Sequence, residues 1–208
     1  MSDDRAEKLA ANRKAREEKK AAYLRGIADR HAGQFRAAAS HDALSVAREA
    51  HGTMDEVLER DRGKDPASGG IRCRKGCSHC CHGPVEIWPQ EAALLVKAAR
   101  EAGIELDRAR LERQGRQSVE TWRKQPGTDT ACAFLGGDGA CRVYASRPNA
   151  CRKLLVVSDP ALCDAKNRSL DHVERWFSWE SEMLETAALE VFGRGLMPRL
   201  LLAELKSK

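Results

Sequence analysis

The chain has 208 residues, of which 32% are charged and 5% aromatic, and its 36 Lys and Arg against 31 Asp and Glu leave a net charge of +5. That length suits one domain, or one domain with a helical extension, and so mild a surplus speaks against a dedicated nucleic-acid binder, which gathers basic residues on one face. No apolar run approaches the roughly eighteen residues of a membrane span, and "MSDDRAEKLAANRKAREEKK" is charged throughout where a signal peptide would be apolar, so the expected location is cytoplasmic.

Ala, Leu, Arg and Glu dominate both ends, which predicts a mainly helical protein. A first helix spans about Asp3 to Arg36. Its first 30 residues interleave nine Lys and Arg with six Asp and Glu, the pattern of a solvated face with i,i+4 ion pairs, and only Leu24, Ile27, His31 and Phe35 make an apolar stripe. A second helix, Asp42 to Arg60, turns Leu44, Ala47, Met54, Val57 and Leu58 inward, and "RGKDPASGG" closes it as a loop. The expected division is an N-terminal helical extension over residues 1–65 and a cysteine-cluster domain with C-terminal helices over 66–208.

Beyond the loop, "PVEIW" predicts a short strand near Val85 to Trp88, and Pro89 starts a helix to Ala102, stopped by Gly103, with Ala92, Leu95, Val96 and Ala99 buried. One further helix is expected from Leu106 to Lys124. Gly136, Gly137 and Gly139 then suit a tight turn between two extended segments around Phe134 to Tyr144. Ser146 is the expected N-cap of a helix that Pro148 helps start and that carries Cys151 in its first turn or just beyond. Leu170, Val173, Phe177, Leu184, Ala187 and Val191 recur at helical spacing, Gly193 and Gly195 break that helix, and "LMPRLLLAELK" forms the last one. Trp176, Phe177 and Trp179 are expected in the core.

Chemistry concentrates in eight cysteines: Cys73, Cys77, Cys80 and Cys81 in the run "CRKGCSHCC", then Cys132, Cys141, Cys151 and Cys163. In a reducing compartment so many thiols point to metal ligation rather than disulfides, and gaps of two or three residues let one loop aim successive thiolates at a metal. Adjacent side chains tend to diverge, which suggests that Cys80 and Cys81 serve two metals, or that one ligates and the other packs. Eight thiolates also exceed the four of one tetrahedral ion, so a two-site or multinuclear centre is favoured. Arg142, Arg147 and Arg152 lie near the later cysteines in sequence, placed either to offset thiolate charge or as surface ion pairs. His79 and His82 flank the adjacent pair as alternative ligands, whereas His31, His41, His51 and His172 read as ordinary helix residues.

"CRKGCSHCCHGPVEIWPQEAALL" followed by "CAFLGGDGACRVYASRPNACR" resembles the YkgJ-type cysteine-cluster family, also described as the CxxCxxCC or zinc- or iron-chelating domain. The resembling elements are the cluster ending in Cys80 and Cys81, Glu91 at the start of a helix, Cys132 with Phe134 and Leu135, Cys141 with Val143 and Tyr144, and Arg147, Pro148, Cys151 and Arg152. "ALCDAKN" is similar to a later Cys-Asp element and supplies Cys163 and Asp164, so the likeness runs over about residues 70–168. It implies chelation of zinc or iron, with a [4Fe–4S] cluster as one form, by the eight cysteines, with Tyr144, Arg147 and Arg152 around them. One branch of that family is associated with lysine methylation of flagellin through an iron–sulfur centre and S-adenosylmethionine.

The expected function is thus a cytosolic metal-binding protein. The C-x3-C-x2-C spacing of Cys73, Cys77 and Cys80 also resembles radical S-adenosylmethionine enzymes, which makes an iron–sulfur methyltransferase-like enzyme the first alternative. A module stapled by metal that contacts a protein partner through the N-terminal helices is the second. Neither a membrane nor a nucleic acid is an expected partner.

Overall fold

The computed structural model describes residues 2–124, 130–164 and 172–207. Among these residues the fold is mainly α, with two short two-stranded ladders: α1 (Ser2–Ala38), α2 (Ala43–Arg62), β1 (Glu86–Ile87), α3 (Pro89–Glu101), α4 (Arg108–Gly115), α5 (Val119–Lys124), α6 (Asn149–Lys153), β2 (Leu155–Val156), β3 (Arg175–Trp176), α7 (Trp179–Phe192), β4 (Gly195–Leu196) and α8 (Met197–Lys206). None of the helices is long and apolar enough to cross a membrane.

The two ends of the chain meet in one core. The second half of α1 lies along α7, α2 crosses α3, and Phe35, Val46, Ala47, Met54, Trp88, Leu94 and Leu184 form one buried cluster. Its aromatic centre is Trp88 stacked on Phe192 at 5.2 Å between ring centroids, with Phe35 set edge-on to Phe192 at 5.6 Å. Such pairs add about 0.5–1.5 kcal/mol each beyond the area they bury. Residues 1–65 therefore contribute Ala32, Phe35 and most of one face of α2 to the same cluster as α3 and α7. The opposite side of α3, with Ala92, Leu95, Val96 and Ala99, packs with Leu111, Phe134, Val143 and Leu201 in a second cluster. With a cluster on either side, α3 is the middle layer.

Both ladders are antiparallel and join distant segments. Glu86 pairs with Leu196 and Ile87 with Gly195, whereas Leu155 pairs with Trp176 and Val156 with Arg175. The strand expected at Val85 to Trp88 is thus present as Glu86–Ile87. Between Phe134 and Tyr144 the expected pair of extended segments is reduced to a single bridge, Leu135 to Cys141, followed by a 3-10 turn at Tyr144–Ser146.

Three expectations need correction. The helix expected from Leu106 to Lys124 is two helices, because Ser118 and Thr121 cap each other: Thr121 N–H donates to Ser118 Oγ at 3.0 Å and Ser118 N–H to Thr121 Oγ1 at 2.8 Å. Arg199 meanwhile takes the carbonyls of Gly115 and Gln117 at the end of α4. Ser146 lies in the 3-10 turn and Pro148 is the N-cap of α6, although Cys151 does fall in the first turn as expected. Residues 175–176 are strand rather than helix, so α7 begins at Trp179, and Phe177 and Trp179 lie outside the core. Leu170 falls outside the described residues.

Candidate metal centre

The cysteine run forms a loop between α2 and β1 in which Gly76 has φ 91°, a left-handed conformation that favours glycine. Cys77 N–H donates to Arg74 O at 3.0 Å, and Cys81 N–H to Ser78 O at 2.9 Å inside a 3-10 turn, His79–His82. Gly139 (φ 77°) closes the later turn, and a Cβ there would sit 3.5 Å from Ser78 Oγ and 3.7 Å from Gly76 O. The two glycine turns are therefore packed against each other.

Backbone bonds sew the remaining cysteine segments to this loop. Cys132 N–H donates to Cys81 O at 2.7 Å, and Arg72 N–H to Val156 O at 2.8 Å. Val156 N–H also donates to Cys73 Sγ at 3.2 Å. A second 3-10 turn, Pro160–Cys163, lies against His79–His82, and the Trp122 indole of α5 donates to His82 O at 2.9 Å. Segments as far apart as Cys81 and Cys132, 51 residues, and Arg72 and Val156, 84 residues, thus meet.

All eight cysteines are free and half-buried. Burial raises Cys132 to about 11, with the charges of Cys141 and Cys80 adding to it, and burial raises Cys163 to about 11, with Cys80, Cys73 and Cys77 adding. Cys151 is pushed well above the ordinary thiol range by burial and then by Cys132, Cys80, Glu91 and Cys141. Cys73 and Cys141 are raised by burial as well. Cys80 is raised first by a side-chain hydrogen bond to Cys81 and then by burial.

Each thiolate opposes the ionisation of its neighbours, and cationic charge opposes that effect in turn. Arg147 lowers Cys73, Cys80 and Cys141, Arg142 lowers Cys141, and Arg110 lowers Cys132. The Arg147 guanidinium rests 4.1 Å from the Tyr144 ring centroid, which holds it beside the thiols. Arg110 is a group that sequence position did not single out. Arg152 sits elsewhere: buried, it donates to Asp55 Oδ2 at 2.6 Å, to Arg147 O at 2.9 Å and to Ala145 O, and its Nη2 approaches His51 Nδ1 at 3.4 Å.

That guanidinium belongs to a buried polar network beneath α6. His51 Nε2 is 3.0 Å from Glu91 Oε1, which also accepts Asn149 N–H at 2.7 Å. Burial raises Glu91 to about 8 and Glu185 to about 8, and burial followed by the Arg152 charge lowers His51 to about 3. In sequence His51 reads as an ordinary helix residue and Glu91 only as part of a motif. The available signal was position: His51 lies on the stripe Ala47–Met54–Leu58, Glu91 beside Ala92 and Leu95, and Glu185 beside Leu184 and Ala188.

The donor chemistry fits a thiophilic metal, since all eight cysteines are reduced and arginine charge lies beside Cys73, Cys80, Cys132 and Cys141. Among the described residues no three His, Cys, Asp or Glu side chains already form a group that could hold a metal ion. His79 and His82 are half-buried beside the thiols.

Residues 72–174 match the family model CxxCxxCC, described as "Putative zinc- or iron-chelating domain". Through this stretch the chain belongs to the CxxCxxCC family. The match begins one residue before Cys73 and takes in all eight cysteines, Glu91, Tyr144, Arg147 and Arg152, while α1, α2, α7 and α8 lie outside it. Comparison with curated proteins and with solved structures gives no match. The CxxCxxCC domain thus contributes the thiols and α3, and the flanking helices cover it.

Proposed function

We propose that the chain is a cytosolic metal-binding protein in which Cys73, Cys77, Cys80, Cys81, Cys132, Cys141, Cys151 and Cys163 act together to hold zinc or iron. What supports this reading is that the matched stretch is described as a zinc- or iron-chelating domain, that Cys132 N–H donates to Cys81 O and Val156 N–H to Cys73 Sγ across it, and that burial raises Cys73, Cys132, Cys141, Cys151 and Cys163 above the ordinary thiol range. Protons held that tightly are costly to remove without a cation, and a bound metal supplies the positive charge that makes thiolates of them. Arg147, Arg142 and Arg110 reduce the negative charge that remains. Iron bound with sulfide would make the centre an iron–sulfur cluster, and zinc would make it a redox-silent staple.

Anaerobic purification followed by metal analysis, acid-labile sulfide analysis and a visible spectrum tests the reading. A colourless zinc-loaded chain or a brown, sulfide-containing one supports it and chooses the metal. A chain that retains neither zinc nor iron, and that takes up neither when reduced and resupplied, overturns it.

A further inference from the structure

Four residues at the start of the C-terminal helices, Trp176 to Trp179, alternate in direction as an extended segment does. Trp176 and Ser178 turn inward, 4% and 5% exposed, and each is tied: the Trp176 indole donates to Asp65 Oδ2 at 2.9 Å and the Ser178 hydroxyl to Asp61 Oδ2 at 2.6 Å. Phe177 and Trp179 are left outside, 40% and 45% exposed, in edge contact at 4.6 Å between centroids. Immediately afterwards Glu180 is clamped by Arg30 at 2.9 Å and Arg60 at 2.7 Å. The exposed pair is thus mounted on a segment pinned at three alternate residues, Trp176, Ser178 and Glu180. The fold does not require it there, because burying such rings stabilises by about 1.5–3 kcal/mol each and the core takes only Trp176.

Basic groups surround the pair. Lys20 Nζ sits 3.8 Å from the Trp179 ring centroid, and the Arg175 guanidinium lies 5.9 Å from that of Phe177. Lys20 ends the outer part of α1, where every side chain from Glu7 to Lys20 is exposed and Arg13 and Lys14 pair with Glu17 and Glu18 one turn on. In sequence, Arg5 to Arg25 holds eight Lys and Arg against Glu7, Glu17 and Glu18, a surplus of five that equals the net charge of the entire chain. Tyr23, 68% exposed, lies one turn from Lys20. The positive charge that looks diffuse in composition is therefore collected on one bare helix whose inner end meets an aromatic pair.

Aromatic rings offered beside a run of cations are the arrangement that receives single-stranded nucleic acid, with bases stacking on the rings and phosphates neutralised by Lys and Arg. A lipid surface fits less well, because this stretch of α1 has no apolar stripe to bury. We propose that Phe177, Trp179 and the exposed half of α1 form a docking surface for single-stranded nucleic acid. The mixed charge of residues 1–30 argued against such a partner, and the outward-facing rings are the observation that reverses the weighing. The surface lies outside the matched domain and does not depend on the metal reading.

Binding of a fluorescein-labelled oligouridine of roughly ten nucleotides to the full-length, metal-loaded chain provides the test, by anisotropy at several salt concentrations. The expected result is binding that weakens with salt, is weakened about tenfold by Trp179→Ala and by Phe177→Ala, and shows a shallower salt slope in a Lys19→Gln/Lys20→Gln variant. Each substituted side chain is solvent-exposed, so an unchanged circular dichroism spectrum is expected and separates lost contact from lost fold. No binding at low salt, equal affinity in Trp179→Ala, or stronger association with phosphatidylserine vesicles or polyglutamate than with the oligonucleotide would each overturn the proposal.

Discussion

His51 and Glu91 meet in the interior, ring Nε2 to carboxylate Oε1 at 3.0 Å, forty residues apart in sequence. The proton on this ring is assignable. Arg152 can only donate, so His51 Nδ1, 3.4 Å from Arg152 Nη2, is the acceptor, and Nε2 carries the hydrogen that Glu91 receives. The same carboxylate oxygen accepts the Asn149 N–H that opens α6, one of the amide groups a helix start leaves without a partner. Glu91 therefore joins α2, α3 and the helix that carries Cys151.

Glu91→Ala is expected to destabilise the chain by about 2–4 kcal/mol, because it strands the Asn149 amide and the His51 ring in a buried place. Glu91→Gln keeps a carbonyl acceptor and should cost about half as much or less. Urea unfolding of both variants is the measurement. A Glu91→Ala chain as stable as the parent would show that α6 is held by other contacts.

The carboxyls of Glu91 and Glu185 also set a pH dependence. Burial raises both from 4.5 to about 8, so between those values the folded chain holds protons that the unfolded chain has released, and stability falls as pH rises through the window. His51 acts in the opposite sense. Its value is lowered from 6.5 to about 3, so the unfolded chain binds a proton that the folded chain refuses, and stability falls as pH drops through that window. Above pH 6.5 only the carboxyl effect remains of these two. Stability should then decline from pH 6.5 to 8 by about 1 kcal/mol per pH unit for each titrating carboxyl, and Glu185→Gln should decline less steeply. Parallel slopes in the two proteins would contradict the assignment.

The two arginines that sequence placed side by side should now separate experimentally. Arg147 bears on Cys73, Cys80 and Cys141, so Arg147→Gln is expected to release metal at lower chelator concentration with little change in thermal stability. Arg152 bonds to Asp55 and faces His51 inside the polar network, so Arg152→Gln should lower stability by about 3 kcal/mol before it changes metal affinity. Chelator competition and urea unfolding, run on both variants, distinguish them. Identical behaviour would mean that the network and the thiols respond as one unit.

The helices that bury a repeating apolar stripe were readable from sequence, because Ala47, Met54 and Leu58 or Ala92, Leu95 and Ala99 carry the period without ambiguity. The cysteine loop was readable from thiol density. What sequence could not show was any property set by partners far along the chain. Phe177 follows helical spacing from Val173, yet Leu155 and Val156 pair with Trp176 and Arg175 and turn that stretch into strand. Gly115 and Ser118 fall inside a pattern that reads as one helix, and Arg199, more than eighty residues later, takes the carbonyls at the break. His51 looks ordinary until Glu91 and Arg152 are placed beside it.

A final prediction concerns the thiols as a set. The loop at residues 72–83 is short in apolar side chains, that at 131–142 fully buries only Phe134 among its large ones, and both rely on turns and bridging bonds such as Cys132 N–H to Cys81 O, so metal binding is expected to supply much of the free energy that orders them. Cys77→Ser and Cys141→Ser, sixty-four residues apart, should each lower bound metal per chain and each expose both loops to protease, not merely the loop that carries the substitution. α3 and α7, which bury Leu95 and Leu184, should resist cleavage longer. Limited proteolysis with mass mapping, alongside metal analysis of the same samples, reads both effects. If each substitution opened only its own loop and left metal content unchanged, the eight cysteines would be two independent features rather than one centre.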